Sequence, residues 1–232
     1  MFALATDAAP GRPNQDFALA TTDIAVVVDG EAPGDDGDCS HGAAWFARQL
    51  GTHVLLALAD EPQLPLTEAL GRAVRAVGRL HIYTCDLSSE RTPSATIGIL
   101  RLTEDRVDVL ALGDCAVVVD TDAGPQVTRD AAEDDARRVG GDPQVAQLAV
   151  TNSYPKAWVR RVAALSRGAA WPAGGTGPAA YGWSDYLDLL DKIGAGSLIA
   201  TSRSWWEAGH RPPGLPVEAA GPDDATVVHA TL

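Results

Sequence analysis

Four aspartates stand where apolar stretches of the sequence end or begin. They are Asp16 in Arg12-Pro13-Asn14-Gln15-Asp16, Asp29 in Val28-Asp29-Gly30, Asp114 in Leu112-Gly113-Asp114, and Asp223 in Asp223-Asp224-Ala225-Thr226. If the strand ends converge, these carboxylates repel one another and need cations. Hard divalent ions take oxygen ligands and keep several waters, so such a cluster suits Mg²⁺ or Mn²⁺. Two such ions can activate a water between them and polarise a phosphoryl group. Each motif alone is weak, because Asp-Gly after a strand is usually a turn and Gly-Asp between strands is usually a hairpin. The ordered set raises the signal.

The elements that must position these residues follow from hydrophobic periodicity. Ile24–Val28 is a continuous apolar run and reads as a strand buried on both faces. Phe2–Thr6 and Phe17–Thr21 are weaker strands before it. Residues 31–40, rich in Gly, Pro and Asp, form a loop. Two amphipathic helices follow. One carries Ala43, Phe46, Ala47, Leu50, Val54, Ala57 and Leu58; the other carries Leu66, Ala69, Leu70, Ala73, Val74, Val77 and Leu80. On the second, Glu68 and Arg72 have the favourable i,i+4 order.

Ser94–Leu102, Arg106–Leu112 and Ala116–Asp120 read as an antiparallel meander, joined by short turns at 103–105 and 113–115. Val127–Arg129 adds a short strand. Residues 130–147 read as a helix fragment plus a variable loop. Ala157–Ser166 reads as a strand, with Arg160-Arg161 leaving a short helix open. Trp171–Tyr181 is a loop. Ser184 is placed to cap a helix through Ile193, Gly194 and Gly196 break it, and another helix runs from about Ser197 to Glu207. Arg211–Pro222 is a Pro-rich loop and Ala225–Leu232 a closing strand. Helices in pairs between antiparallel strands indicate an α+β sandwich rather than a doubly wound sheet. The whole chain, 1–232, reads as one domain with variable loops at 130–156 and 208–222.

The ordered motifs resemble the PP2C family of metal-dependent protein phosphatases. Arg-x-Asn-Gln-Asp, Val-Val-Asp-Gly, Ser94-Ala95-Thr96, Leu-Gly-Asp-Cys-Ala and Asp-Asp-Ala-Thr-Val-Val follow the family series of Asn-Glu-Asp, Asp-Gly, Gly-Thr-Thr, Gly-Asp-Ser and Asp-Asn-(Ile/Ala)-Thr. Gly11–Phe17 and Pro93–Thr96 resemble in particular the short actinobacterial PP2C-like branch. The resemblance implies a four-layer α/β/β/α sandwich of two antiparallel sheets flanked by helix pairs. It implies that Asp29 bridges two metals with the Gly30 carbonyl as a further ligand, and that Asp223 binds one metal. Asp16 would hold metal-bound water or a neighbouring ligand, and Asp114 a third, weaker metal position. Arg12 would grip phosphate through two bonds, or is a solvated loop arginine.

The sequence also departs from the family pattern. Gln15 stands for the usual glutamate, and Glu31-Ala32-Pro33 for Met-Gly-Gly. A further metal aspartate of the family has no counterpart. One alignment puts Arg167 there, another Ser202, and neither supplies a carboxylate. Replacing Asp by Arg changes the site's charge by two units. Three outcomes are open: Arg167 repels a cation, neutralises Asp29 and Asp223 as a salt bridge, or points into solvent. The resemblance thus implies either a weak Mg²⁺- or Mn²⁺-dependent phosphatase or a pseudophosphatase. The first acts on a phosphoprotein or small phosphorylated substrate, and the second binds a regulatory protein or ligand.

Composition sets outer bounds. Hydrophobic residues make up 46% of 232, enough for a sizeable core. Lys and Arg total 18 against 31 Asp and Glu, a net charge of −13. That field repels phosphate backbones and anionic membranes, so neither nucleic acid nor membrane is an expected partner. No apolar run approaches a membrane span and the N-terminus reads as a strand rather than a signal peptide. Cys39, Cys85 and Cys115 make no CxxC and read as reduced thiols of a cytoplasmic protein. Cys39-Ser40-His41 lacks further ligands at suitable spacing and reads as the lead-in to a helix. His41 belongs to that junction rather than to acid catalysis. Nothing in the sequence supports a Cys39–Cys85 bridge. Of the adjacent Trp205 and Trp206, one is expected to pack and the other to cover surface.

Overall fold

A computed structural model describes residues 1–31, 38–81, 83–86, 89, 91–130, 138–170, 182–207 and 223–232. The strands are β1 (Ala3–Asp7), β2 (Phe17–Ala20), β3 (Ile24–Glu31), β4 (Ser94–Leu102), β5 (Arg106–Leu112), β6 (Ala116–Thr121), β7 (Gly124–Thr128), β8 (Val150–Pro155), β9 (Val159–Leu165) and β10 (Ala225–Thr231). The helices are α1 (Ala43–Asp60), α2 (Leu66–His81), α3 (Arg167–Ala170), α4 (Trp183–Ile193) and α5 (Ala195–Glu207).

Side-chain alternation builds the layers. In β3, Ile24, Val26 and Val28 point to one core while Ala25 and Val27 point to another. The same split divides β9, with Val162 and Ala164 on one side and Ala163 and Leu165 on the other. The strands form two antiparallel five-stranded sheets, ordered β1-β10-β9-β6-β7 and β2-β3-β4-β5-β8. Their facing sides enclose a core of Val27, Val109, Val117 and Val228. Helices α1 and α2 cover the second sheet through Phe46, Leu50, Leu58 and Leu70. Helices α4 and α5 cover the first through Tyr186, Leu187, Leu190 and Leu198. Each of these leucines, fully withdrawn from water, contributes roughly 2 kcal/mol. The order of layers is α/β/β/α.

Several expectations are corrected. The meander fails after β5: β4 and β5 are sheet neighbours, but β6 joins the opposite sheet between β9 and β7. The turn at Gly113-Asp114-Cys115 therefore bridges two sheets. β5 and β6 are both buried along nearly their whole length, so their patterns do not choose between partners. The stretch 130–156 contains an edge strand, β8, paired with β5, and a 3-10 helix at Pro143–Leu148. Ala157 and Trp158 lie in a short 3-10 turn, so β9 starts two residues later than expected. The short strand near Val127 is longer on its N-terminal side. Ser184 lies inside α4 rather than capping it; Gly182 holds the N-cap position. Gly194 ends α4, whereas Gly196 sits inside α5. Trp206 is buried. The side chain of Trp205 and the expected loops over 171–181 and 208–222 lie outside the described residues, as do 32–37 and 131–137.

Candidate metal and phosphate site

The ends of both sheets that carry the four aspartates lie at the same edge of the sandwich. β3 delivers Asp29 opposite Thr96 of β4. The Thr96 hydroxyl donates to Asp114 Oδ1 at 2.8 Å, which ties the sheet-bridging turn to the same place. From the other sheet, β9 ends at Leu165, Ser166 leads into α3 at Arg167, and Asp223 stands two residues before β10. The N-terminal loop 8–16 closes the edge.

That loop is held by a residue the sequence reading left without a role. Asp224, buried, accepts from the Ala9 N–H at 2.6 Å and from the Gln15 N–H at 2.7 Å. Asn14 shapes the same loop, donating from its side-chain amide to Thr6 and accepting the Asp16 N–H at 3.0 Å. Gly30 permits the close approach: a Cβ there would stand 2.6 Å from the Gln15 carbonyl oxygen. Gly168 does the same for the first sheet, since its Cβ would fall 1.9 Å from the Asp224 carbonyl oxygen. Gln15 thus enters the site through its backbone.

Charges at the edge are strongly coupled. Asp16 is buried and neither carboxylate oxygen has a hydrogen-bond partner. Burial pushes its carboxyl up to about 7; the nearby Ser166 and Thr226 hydroxyls draw it down in part, while Asp224 and Asp223 push it up further. Asp29 is raised well above the ordinary range, first by desolvation and then by the charges of Asp16, Asp114 and Asp223, against which Arg167 pulls it down.

Arg167 stands among these carboxylates. Its guanidinium lies 3.1 Å from Asp223 and 3.6 Å from Asp114. Burial works against its charge, but Asp223, Asp114 and Asp29 outweigh that and hold it above its ordinary value. Arg12, largely exposed, lies 3.8 Å from the other Asp223 oxygen. A third guanidinium, missed in the sequence, packs below: Arg203 donates to the Asp223 backbone carbonyl and, at 3.2 Å, to that of Asp7. Ser202, the alternative to Arg167 in the alignment, is turned away and bonds to the Leu198 carbonyl inside α5.

A divalent cation fits one half of this edge better than the other. Asp16 has two orphaned buried oxygens, and Asp29 carries uncompensated repulsion, which are the conditions a cation relieves. Around Asp223 the compensating charge is already supplied by Arg167 and Arg12. Among the described residues, the set of Cys, His, Asp or Glu side chains whose ligand atoms crowd to one point is a different one: Cys39, His41, His81 and Cys85.

This architecture is that of the PP2C-type serine/threonine phosphatases. The chain superposes on Mycobacterium tuberculosis PstP/Ppp with a TM-score of 0.65 at 17% identity, covering 100% of this chain and 98% of that one. It is similar to the PPM phosphatase MsPP of Mycobacterium smegmatis, solved with cacodylate, with a TM-score of 0.63, 19% identity, and coverage of 100% and 98%. PppA of Pseudomonas aeruginosa gives 0.66, 14% identity, and 100% and 97%. The PstP catalytic domain with two manganese ions gives 0.61, 16% identity, and 100% and 97%. No family model matches the chain, and no curated protein does. Likeness at these identities defines the fold. Among the described residues no helix is long and apolar enough to cross a membrane.

Proposed function

We propose that this chain is a PP2C-like protein whose metal-dependent hydrolysis of phosphoserine, phosphothreonine or a small phosphomonoester is impaired at one metal position. The observation that carries the reading is the Arg167 guanidinium on Asp223. Asp29, the Gly30 carbonyl and Asp16 would hold one Mg²⁺ or Mn²⁺, with Asp114 at a weaker position. Bound there, the ion supplies Lewis acidity to a phosphoryl oxygen and to water. Arg12 receives the substrate phosphate, through two N–H groups directed at two oxygens. Arg167 competes with any second cation at Asp223, which lowers occupancy rather than geometry. The reading places residues 1–232 in one working unit in the cytoplasm, with a phosphoprotein or small phosphorylated substrate.

A second reading rests on the same place. Arg12 and Arg167 both reach Asp223 and both keep exposed surface, with side chains 61% and 48% accessible. Two guanidiniums at one carboxylate can hand their donors to a phosphate instead, giving a pseudophosphatase that binds a phosphorylated or regulatory partner without turnover.

Hydrolysis of p-nitrophenyl phosphate and a phosphopeptide at saturating Mn²⁺ separates the two. The impaired-enzyme reading expects weak wild-type turnover above Asp29→Ala, and a rise of about tenfold or more in Arg167→Asp, worth ~1.4 kcal/mol in the barrier. Full activity of the wild type overturns the impairment. Turnover no better than Asp29→Ala in both other proteins leaves the binding reading.

A further inference from the structure

Away from the acidic edge, two loops that are distant in sequence bring four soft ligands together. Cys39 and His41 lie just before α1; His81 is the last residue of α2 and Cys85 follows one turn later. The backbone N–H groups of Thr84 and Cys85 both donate to the His81 carbonyl, at 2.8 and 3.1 Å, which keeps Cys85 beside His81. The ligand atoms of all four residues lie within 4.8 Å of one another. The Cys39 and Cys85 sulfurs are 2.9 Å apart, and His41 Nδ1 lies 3.8 Å from the first and 3.5 Å from the second.

His81 supplies the second, independent observation. It is only 2% exposed, and its Nε2 has no hydrogen-bond partner. Its Nδ1 lies 3.2 Å from the Val77 carbonyl, which can only accept, so Nδ1 carries the proton and Nε2 a lone pair. A buried imidazole with one nitrogen fixed on a backbone carbonyl, the other unpartnered, and two thiols within 4.8 Å of a ring nitrogen is set up as a metal-ligating histidine. His41 is fixed as well: its ring stacks on Trp45 with centroids 4.0 Å apart, and Trp45 also meets the edge of His81.

We infer that Cys39, His41, His81 and Cys85 form a structural zinc site. Two sulfurs and two imidazole nitrogens are a closed tetrahedral set for Zn²⁺, with no position left for water or substrate. Zn–S bonds of about 2.3 Å at the tetrahedral angle hold two sulfurs ~3.8 Å apart, so binding spreads the thiols by just under 1 Å. Thiolates are the ligands, so binding releases the thiol protons of Cys39 and Cys85. The site fastens residues 38–41 to residues 81–86. The Asp86 N–H donates to the Asp38 carbonyl and the Ser89 hydroxyl to the Asp38 carboxylate, so the same two segments also meet beside it.

The inference does not depend on the acidic edge, and the test keeps the two apart. The full chain, carrying no polyhistidine tag, is produced in zinc-supplemented medium and its metal measured by mass spectrometry. About one zinc per chain is expected, released by a mercurial thiol reagent and retained in Asp29→Ala. Cobalt exchanged into the wild type should show thiolate charge-transfer bands, which carboxylate ligands do not give. Cys85→Ser and His41→Ala should each lose the zinc; the mercurial and cobalt measurements use unaltered protein and stand if a variant fails to fold. Absence of zinc overturns the inference, whether the denatured chain then shows all 3 of its cysteines as thiols or Cys115 alone, the latter marking a Cys39–Cys85 disulfide. Zinc lost in Asp29→Ala but kept in Cys85→Ser also overturns it.

Discussion

Asp224 binds two backbone N–H groups that lie 215 and 209 residues away in sequence, and through them it sets where Arg12 and Asp16 stand. Removing its carboxylate leaves two donors without partners beside a buried strand end. Asp224→Ala should therefore lose about 2–3 kcal/mol in urea unfolding, with Asp224→Asn falling between it and the wild type. Gly168 offers a sharper case. Gly168→Ala forces a methyl into the Asp224 carbonyl and should cost ~2 kcal/mol or more while lowering phosphate-analogue binding, because β10 and Asp223 must shift together. At this scale the sequence was partly legible. Acidic residues at strand ends could be picked out, because a carboxylate interrupts an apolar run. The clamp at Asp224 could not, since a paired Asp-Asp does not reveal which side chain turns inward. Arg203 was hidden for a similar reason: on a helix, a guanidinium that reaches back to the backbone looks like any solvated arginine. His81 was concealed by periodicity, as it takes a place in the buried stripe of α2, four residues after Val77.

Between elements, a buried ion pair stitches the second sheet. Arg101 on β4 donates to Asp108 on β5 at 2.7 Å and to the carbonyls of Pro62 and Leu64 in the α1–α2 loop, while Ser153 on β8 donates to the same aspartate at 2.6 Å. Breaking one side leaves a buried charge, so Arg101→Met alone should cost about 3–5 kcal/mol, whereas replacing both partners with apolar residues should cost much less. Burial pushes Asp108 up, but Ser153 and Arg101 more than offset it and hold the carboxyl below its ordinary value of 3.8. The pair's contribution is therefore present above the unfolded value and lost as pH falls through the folded one. Denaturant midpoints measured between roughly pH 5 and pH 2 should fall more steeply for wild type than for Asp108→Asn. The strand that completes this network, β8, escaped the sequence reading. Val150–Pro155 is an edge strand with mostly exposed side chains and lacks the alternation that marks a strand covered on one face. Its pairing is dictated by the backbone of β5, which no side-chain pattern records.

Across the molecule, a charge of −13 and an edge crowded with carboxylates favour cations, and Arg167 limits how many are taken up. A ligand bound by the folded state alone stabilises it by about 2.7 kcal/mol at roughly a hundredfold excess over Kd. Thermal melts with Mn²⁺ should show a small rise for the wild type, a larger one for Arg167→Asp, and little for Asp29→Ala. The four-layer order could be read from paired helices between antiparallel strands; which strands share a sheet could not, because the buried strands are apolar on both sides. One consequence of that strand order concerns synthesis. β1 lies at the edge of its sheet and, among the described residues, pairs with β10. A polypeptide leaving the ribosome can assemble β2 through β5 early, but residues 3–7, although they also meet α5, lack their strand partner until residues 225–231 emerge. Closure of the first sheet is thus a late event of biogenesis, and chains stopped short of β10 should be targets for proteolysis at their N-terminal arm.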